Sequence, residues 1–395
     1  MTKKQGSSIK VAGAGPSGLT SAICLAKAGY AVEVFEARKE VGGRFIGDFQ
    51  VIENMSTPED ALQMLKRIGL SSNFYIRPVC QGRFYDYRLN SREVKSQGPF
   101  GYFIRRGPQE DTLDRGLLNQ ALAAGVTLHY KTRLNPEEAD IVASGPSSPD
   151  GLAKQITFAS NLPDTVWVLF DMDISPGAYS YLFVLDGRAT FGCAITQDFD
   201  HINDYFDGAL KCFQGISSFS IEEEKAGYSF MNFSLKPSAK IDRRLYIGEA
   251  GGFQDYLFGL GIRYALTTGK AAAESIITKR DYDQLWKKSI GAAQEMSLIN
   301  RFLYERGGNR GLSEFVRRAG RGDLQDYLSG WYAWRPWKGL LLPLIKWAWR
   351  EKKRCFHSLP DHWCRNKMQT STHPRLGPLA ENPGQDSEQD STGFE

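Results

Sequence analysis

One glycine-rich segment near the start of the sequence, Gly13-Ala14-Gly15-Pro16-Ser17-Gly18, restricts the fold more than any other feature. It directly follows the apolar run Ile9–Ala12, which predicts a buried strand. It leads into residues 16–28, whose apolar spacing predicts a helix. A second predicted strand, residues 31–36, ends in an acidic residue 18 positions after the last glycine of the motif. In this context a GxGxxG motif predicts a strand, a helix and a parallel strand that together bind a dinucleotide.

Each residue of this motif has an expected role. Gly13 permits the tight turn, Gly15 lets backbone amides approach a diphosphate, and Gly18 lets the helix pack close to the strand. The helix N-terminus adds partial positive charge for the anion, and Ser17 is counted among the candidate cofactor contacts. Glu36 would accept hydrogen bonds from the adenosine ribose and disfavour a 2′-phosphate, so the motif predicts FAD or NAD rather than NADP.

The composition is that of an ordinary globular chain, with 395 residues, 42% of them hydrophobic and 24% charged, and a net charge of +4. The mean hydropathy is −0.38, and no run approaches the roughly 20 apolar residues that span a bilayer, which excludes a polytopic membrane protein. Residues 1–6 contain no apolar signal segment, so secretion is not expected. Six cysteines without a CxxC pair indicate reduced thiols and a cytoplasmic location.

The order of the predicted elements indicates a nucleotide-binding domain interrupted by a second domain. Between residues 164 and 233 the pattern changes to antiparallel strands, with Asp186-Gly187 as a strong hairpin turn signal. A buried strand at residues 245–248 and a helix at 262–277 then return to the first domain. The predicted fold class is α/β, a Rossmann-like domain interrupted by an antiparallel β-sheet substrate domain and followed by a helical C-terminal region. The predicted boundaries are 1–60, 104–160 and 240–280 for the nucleotide-binding domain, 61–103 and 161–239 for the substrate domain, 281–366 for the basic helical region and 367–395 for a disordered tail.

Two further glycine-rich segments sharpen the choice of cofactor. Gly42-Gly43-Arg44 follows the first motif closely, and far along the chain residues 248–252, Gly-Glu-Ala-Gly-Gly, lead to Gly259-Leu260-Gly261-Ile262 and a helix. These segments resemble the FAD-binding fingerprint of the geranylgeranyl reductase family. That family belongs to the para-hydroxybenzoate hydroxylase-like flavoprotein superfamily, whose members have a two-dinucleotide-binding (GR2-type) fold. The resemblance implies that FAD is the cofactor.

The resemblance also implies roles for individual residues. Arg44 would neutralise the diphosphate, and Glu249, after Gly248, would bind the ribityl hydroxyls. The helix N-terminus at Gly261-Ile262 would face the flavin N1 and O2 atoms, where negative charge appears on reduction. Arg106 falls in a segment whose arginine contacts FAD in that family.

A third segment resembles the part of the family that binds substrate. Residues 176–183 and 186–192 are similar to strands that line the lipid-substrate cavity of geranylgeranyl reductases. This makes Tyr179 and Tyr181 candidate substrate residues, although a tyrosine on a half-buried strand more often serves packing. Together the segments cover roughly residues 8–280.

The sequence departs from the family in three places. Glu249 stands where the family usually has Asp, and residues 44–47 lack the cysteine that archaeal members use near the flavin. Residues 139–146 end without the Asp-Gly dipeptide typical of aromatic hydroxylases, which argues against NADPH-driven hydroxylation.

The function implied by the resemblance is that of an FAD-dependent oxidoreductase. It would reduce carbon–carbon double bonds of an isoprenoid or other lipid-like substrate by hydride transfer from reduced flavin. The external electron donor would be NAD(P)H or reduced ferredoxin. A flavin-dependent monooxygenase or desaturase is the first alternative, and a non-catalytic, membrane-associated module with a flavin fold is the second. No residue is assigned a catalytic role.

A basic, tryptophan-rich segment, residues 331–354, predicts a helix that lies on a membrane surface. Leu341, Leu344 and Ile345 share one helical face, and Lys346 lies on another. The other interpretation is a helix packed on the protein's own core. The basic residues would meet anionic lipid, so the expected location is cytoplasmic and peripheral at the inner face of the membrane.

Two other kinds of site were considered in the same region. Cys355, His357, His362 and Cys364 fall in one short window, but their spacing is not a common zinc signature and basic neighbours would repel a cation. No metal site is therefore predicted. The tryptophans and leucines suit lipid better than phosphate, so no nucleic-acid partner is expected.

Overall fold

The computed structural model describes residues 8–146, 150–233 and 235–350, with the backbone alone at 348–350. Its strands are β1 (Ile9–Ala12), β2 (Val32–Phe35), β3 (Phe49–Glu53), β4 (Ile76–Val79), β5 (Gln81–Asp86), β6 (Ser91–Lys95), β7 (Gly101–Arg105), β8 (Thr127–His129), β9 (Ile141–Val142), β10 (Gly151–Ala159), β11 (Thr165–Phe170), β12 (Ser180–Leu185), β13 (Arg188–Ile195), β14 (Glu222–Met231), β15 (Lys240–Ile241) and β16 (Arg244–Tyr246). Its α-helices are α1 (Pro16–Lys27), α2 (Ala61–Ile68), α3 (Leu113–Ala123), α4 (Ile202–Ile216), α5 (Ile262–Thr278), α6 (Tyr282–Trp286), α7 (Ala292–Ala319), α8 (Leu324–Tyr332) and α9 (Pro336–Arg350).

The first sheet confirms the predicted Rossmann-like domain. Within the described residues its strand order is β15-β16-β9-β1-β2-β8, and β16, β9, β1, β2 and β8 are parallel neighbours. Strand residues such as Val11 and Val34 are fully buried, as expected for a parallel sheet covered by helices. The pairing of β16 with β9 brings the late part of the chain beside the first motif.

The second sheet forms the predicted antiparallel region. Among the described residues it has the order β14-β10-β13-β12-β11-β5-β6, and β11 with β5 is its parallel pair. Side chains alternate along β12 because successive residues of a strand point to opposite faces. Leu182 packs in the cluster that includes Phe206 and Phe213 of α4, whereas Tyr181 and Phe183 belong to the opposite face. A small sheet, β3-β7-β4, completes the strands described here.

Two of the predicted domain boundaries differ from the structure. Strand β10 was assigned to the nucleotide-binding domain, but it pairs with β13 and β14 of the second sheet, so the change of domain precedes residue 151. Helix α2 was assigned to the substrate domain. Its buried face, including Met64 and Ile68, instead packs in the core cluster of the nucleotide-binding domain, since an amphipathic helix buries its apolar face wherever a matching surface lies.

The C-terminal helices pack on the second sheet and on the loop before α5. Leu298, Phe315 and Ile345, from α7 and α9, share a core cluster with Phe84 and Phe170 of the sheet. The prediction that residues 281–330 are helical is confirmed. No helix in the described part of the chain combines the length and the apolar character needed to cross a membrane. The predicted disordered tail at 367–395 and the cysteine–histidine window at 355–364 lie outside the described residues.

Candidate functional site

A single large cleft joins the glycine-rich motif to the second sheet. Its volume is about 1140 Å³. Predicted cofactor residues that line it come from both ends of the sequence: Gly13, Gly15, Ser17, Glu36, Arg44, Arg106, Glu249, Gly261 and Ile262. The predicted substrate residues Tyr179 and Tyr181 line the same cleft. The fold thus brings together segments that are more than 200 residues apart in sequence.

The glycine-rich loop has the backbone geometry that the motif requires. Gly13 has a φ of +107°, and a Cβ there would lie 2.4 Å from the Ala143 carbonyl oxygen. A Cβ on Gly15 would meet no other atom within 4 Å, so the backbone there borders open space in the cleft. Helix α1 begins directly after Gly15 with Pro16, and its free N–H groups form an anion-binding end.

Glu36 is tied to the loop that it was predicted to assist. Its Oε2 accepts a 3.0 Å hydrogen bond from the Ala14 N–H, and its Oε1 accepts one of 3.0 Å from the Arg38 N–H. Each carboxylate oxygen has a second lone pair free for a ribose hydroxyl. Glu36 therefore holds the loop and lines the cleft at once.

Gly18 and Gly248, which the motifs place among the cofactor residues, lie beside the cleft and allow close packing, as expected for Gly18. A Cβ on Gly18 would lie 2.0 Å from the Gly13 carbonyl oxygen. Gly248 has a φ of +54°, and a Cβ there would lie 2.6 Å from Ser17 Oγ. These two glycines let α1 approach both β1 and the segment after β16, which fixes the walls of the site.

Arg106 is oriented by a carboxylate that the sequence analysis did not single out. Its Nε and Nη2 donate to the two oxygens of Asp114 at 2.8 and 2.9 Å, and both side chains are buried. Although burial opposes the charged form, Asp114 raises the pKa of Arg106. An acidic residue in the first turn of α3, eight positions after Arg106, is the sequence signal that could have identified this pair.

Arg44 and Arg106 both lie against the ring of Phe45. Their guanidinium carbons lie 4.9 and 3.9 Å from the centroid of Phe45. Gly42 lets the chain before Arg44 pack close to the chain after Arg106, since a Cβ at Gly42 would lie 2.4 Å from the Gly107 carbonyl oxygen. Two positive charges thus meet on one wall of the cleft.

Glu249 lies beside the start of α5, close enough to Arg44 and Arg106 to interact with their charges. Its Oε1 lies 3.8 Å from the position that a Cβ on Gly261 would take. Burial raises the pKa of Glu249, and the nearby charges of Arg44 and Arg106 oppose that rise. Burial lowers the pKa of Arg44, and Glu249 opposes that change.

An aromatic wall closes the cleft on the side of the second sheet. Tyr179 donates a 2.7 Å hydrogen bond from its hydroxyl to the Phe258 carbonyl, and Tyr181 donates one of 3.3 Å to Gln155 Oε1. Burial raises the pKa of both tyrosines, so both stay protonated at neutral pH. A Cβ on Gly192 would lie 2.4 Å from Tyr181 Cζ, so the absence of a side chain at Gly192 makes room for the ring.

Arg263 is a buried arginine that the sequence analysis did not predict to be part of the site. Its Nε lies 3.0 Å from Glu53 Oε1, and its Nη2 donates to the Glu53 carbonyl at 2.7 Å and to Asn54 Oδ1 at 2.9 Å. It therefore fixes the first turn of α5 against β3. A charged residue directly after Gly261-Ile262, in the first turn of the helix, was the available signal.

The residues of the cleft fit FAD. The Nε of Arg44 is buried and has no hydrogen-bond partner in the part of the chain that the structure describes, which suits a diphosphate oxygen as its acceptor. The open backbone at Gly15 and the carboxylates of Glu36 and Glu249 offer partners for the rest of a dinucleotide. Residues 8–146, 150–233 and 235–350 contain no group of His, Cys, Asp and Glu that could hold a metal ion.

Comparison with known proteins agrees with this geometry. Residues 11–47 match the family of NAD(P)-binding Rossmann-like domains. A comparison with curated proteins gives no match. A solved structure of a geranylgeranyl bacteriochlorophyll reductase-like protein from Thermoplasma acidophilum is similar over 86% of this chain and 98% of that chain, with a TM-score of 0.66 and 17% identity. The chain has the fold of the FAD-dependent flavoproteins.

Other flavoproteins share the fold. A flavin-dependent brominase has a TM-score of 0.57 and 16% identity over 88% of this chain and 98% of its own. A flavoprotein/dehydrogenase from Cytophaga hutchinsonii has a TM-score of 0.57 and 15% identity over 86% of this chain and 99% of its own. The predicted flavoprotein fold is confirmed, and the comparisons support FAD as the cofactor and an oxidoreductase scaffold.

Proposed function

We propose that this chain is an FAD-dependent oxidoreductase that reduces carbon–carbon double bonds of an isoprenoid or other lipid-like substrate. The observation that carries the proposal is the continuity of one cleft, in which a charged, glycine-rich end opens directly onto an uncharged aromatic wall. The first half suits a dinucleotide, and the second suits an apolar molecule placed beside it.

The charged end has a partner for each polar part of FAD. The Gly13–Gly15 loop and the N-terminus of α1 would hold the diphosphate, with Arg44 as a cationic donor. Glu36 would bind the adenosine ribose, and Glu249 would bind the ribityl chain. The start of α5 at Gly261 would direct its positive end toward the ring system.

The apolar end supports the substrate class. The described lining residues between 153 and 231 include no charged side chain. They are Ala153, Gln155, Tyr179, Tyr181, Phe183, Ala194, Ser229, Phe230 and Met231. A charged substrate would lose its solvation here without gaining an oppositely charged partner, whereas a hydrocarbon chain has no charge to desolvate.

For this reaction the chain has three tasks: it positions the substrate, excludes water and supplies a proton. Bound FAD supplies the two-electron redox chemistry. The aromatic wall excludes water, and Phe258 holds Tyr179 in place through its carbonyl. Tyr181 keeps its proton because burial raises its pKa, and its hydroxyl is oriented by Gln155. We assign Tyr179 and Tyr181 to substrate contact.

An anaerobic turnover experiment tests the proposal. The purified protein, loaded with FAD and reduced with dithionite, is mixed with a geranylgeranyl lipid, and the lipid is analysed by mass spectrometry. A gain of two hydrogens with matching return of the oxidised flavin band is the expected result. Dithionite removes the need to know whether NAD(P)H or reduced ferredoxin is the physiological donor, and each donor is then tried in its place.

Other results would contradict the proposed reaction. Product that contains oxygen, or a new double bond, and that forms only in air would indicate a flavin monooxygenase or desaturase on this scaffold. Reduced flavin that no lipid reoxidises would indicate a flavin-fold module without this activity. A protein that takes up no FAD would contradict the cofactor assignment itself.

A further inference from the structure

Helix α9 presents large apolar side chains to solvent along one face. Trp337, Leu340, Leu344 and Trp347 are 47%, 78%, 62% and 64% exposed. Their spacing places them on one side of the helix, and Trp334, just before the helix, is 66% exposed as well. A soluble surface rarely collects so many large apolar side chains in one place unless something covers them.

The lysines of this helix turn toward the protein instead of toward solvent. Lys338 is buried, and its Nζ donates to the carbonyls of Trp331 and Ala333. Lys346 pairs with Glu295 of α7. The sequence analysis had grouped Leu344 with Ile345, but Ile345 is buried in the core while Leu344 points outward. The exposed face is therefore apolar, because Lys338 and Lys346 both contact the protein on the other side of the helix.

We propose that this face of α9, formed by Trp334, Trp337, Leu340, Leu344 and Trp347, docks on the surface of a bilayer that contains anionic lipid. Tryptophan and leucine are the side chains that partition into the headgroup region. Residues 331–350 include no acidic residue, and after Glu351 the sequence continues with Lys352, Lys353 and Arg354. The segment that carries the apolar face is therefore net basic in sequence, which matches an anionic lipid surface.

Charge also argues against a second copy of the chain as the occupant. Residues 331–354 hold seven basic residues and one acidic residue, so two copies that met through this segment would bring like charges together, whereas a bilayer with anionic lipid attracts the segment. The inference is independent of the proposed reaction, since membrane docking is measured without turnover.

Vesicle co-sedimentation tests the docking face. The FAD-loaded full chain is mixed with vesicles of equal parts phosphatidylcholine and phosphatidylglycerol. We expect the protein to sediment with these vesicles, and the triple variant Trp337→Ser, Leu340→Ser, Leu344→Ser to bind at least ~10-fold more weakly. Matched control substitutions at exposed apolar residues elsewhere, Leu62→Ser, Leu122→Ser and Ile241→Ser, should leave binding unchanged.

A second measurement locates the contact. Brominated phosphatidylcholine in the vesicles should quench tryptophan fluorescence, and Trp334→Phe, Trp337→Phe and Trp347→Phe together should remove most of that quenching. Retained FAD shows that each variant is folded.

Several outcomes would overturn the proposal. Equal sedimentation of the triple variant and the native protein would exclude this face, and a native protein that stays in the supernatant would exclude membrane docking. A native dimer that the triple variant converts to a monomer, without vesicle binding, would assign the face to a second copy of the chain instead.

Discussion

The hydroxyl of Tyr332 donates a 2.7 Å hydrogen bond to Oδ1 of Asp255, a fully buried carboxyl in the loop before α5. Oδ2 of Asp255 accepts a 2.7 Å bond from the Phe258 N–H. The Phe258 carbonyl in turn accepts the hydroxyl of Tyr179 in the aromatic wall. One buried carboxyl therefore connects helix α8 with the substrate side of the cleft.

This carboxyl should make the stability of the protein depend on pH. Burial raises the pKa of Asp255 from 3.8 to about 7, and Glu53 adds to the rise, while the bonds from Tyr332 and Phe258 oppose it. Since the folded state holds this proton more tightly than the unfolded state, the stabilisation is complete below the unfolded pKa and is lost as pH rises through the folded pKa.

Asp255→Asn tests the effect, because the amide does not ionise. Between the two pKa values the free energy of unfolding of the native protein should fall by up to about 4 kcal/mol relative to the variant. Urea denaturation across this pH range measures both profiles. Glu137→Gln, at an exposed position, should follow the native profile. Parallel curves for the native protein and Asp255→Asn would refute the assignment.

Gly15→Val should sharply reduce the retention of FAD. A branched side chain would fill the open space through which the backbone approaches the diphosphate. Loss of one hydrogen bond to a charged group corresponds to about 10- to 100-fold in affinity. Flavin absorbance per protein after dialysis measures the loss. Gly208→Val is the matched control, since a Cβ at Gly208 in α4 also meets no atom within 4 Å but lies outside the cleft. Normal loading of Gly15→Val would contradict the placement of the diphosphate.

The pair of Arg106 and Asp114 should show strong energetic coupling. Arg106→Leu leaves the Asp114 carboxylate buried without its charge partner, which typically costs about 3–5 kcal/mol. The double variant with Asp114→Asn removes both charges and should be less destabilised than the sum of the single variants. Denaturation of the four proteins with saturating FAD gives the coupling. Additive effects would show that the two side chains act separately.

Gly192→Ala should impair the reaction without releasing the cofactor. The added methyl would lie 2.4 Å from Tyr181 Cζ, so the ring must move into the cleft. A displacement of this kind corresponds to about a 10- to 100-fold fall in turnover of the polyprenyl lipid. Steady-state assays with FAD content as the internal control measure it, with Gly208→Ala as the neutral comparison. Unchanged turnover would indicate that Tyr181 does not border the substrate.

Several elements followed from local sequence because local chemistry specifies them. The motif that contains Gly13 and Gly15 predicts a strand before it and a helix after it. The observed β1, α1 and β2 begin and end within two residues of the predicted bounds. The Asp186-Gly187 turn joins β12 and β13 as its hairpin signal predicted. Positive φ at both turn residues explains the choice of Asp and Gly.

The site was harder to predict where a role depends on a distant partner. Gly18 and Gly248 belong to glycine-rich segments like Gly15, yet a Cβ on Gly18 would meet the Gly13 carbonyl oxygen and one on Gly248 would meet Ser17 Oγ, and neither glycine lines the cleft. Asp114 and Arg263 each put a charge in the first turn of a helix, which is a sequence signal, but their importance comes from partners that folding brings to them. The sequence alone does not show which distant residues come within hydrogen-bonding distance of one another.

The sequence by itself determined three features: the nucleotide-binding motif near the N-terminus, the alternating side chains of the second sheet and an amphipathic helix near the C-terminus. Each depends on backbone conformation and apolar spacing, which act over a few residues. The tertiary structure alone decided which face of α9 meets solvent. Lys338 and Lys346 find partners in α7 and in the backbone before α9, and burying those charged groups is favourable only where such partners already lie in reach. The apolar side chains opposite them are left exposed for that reason.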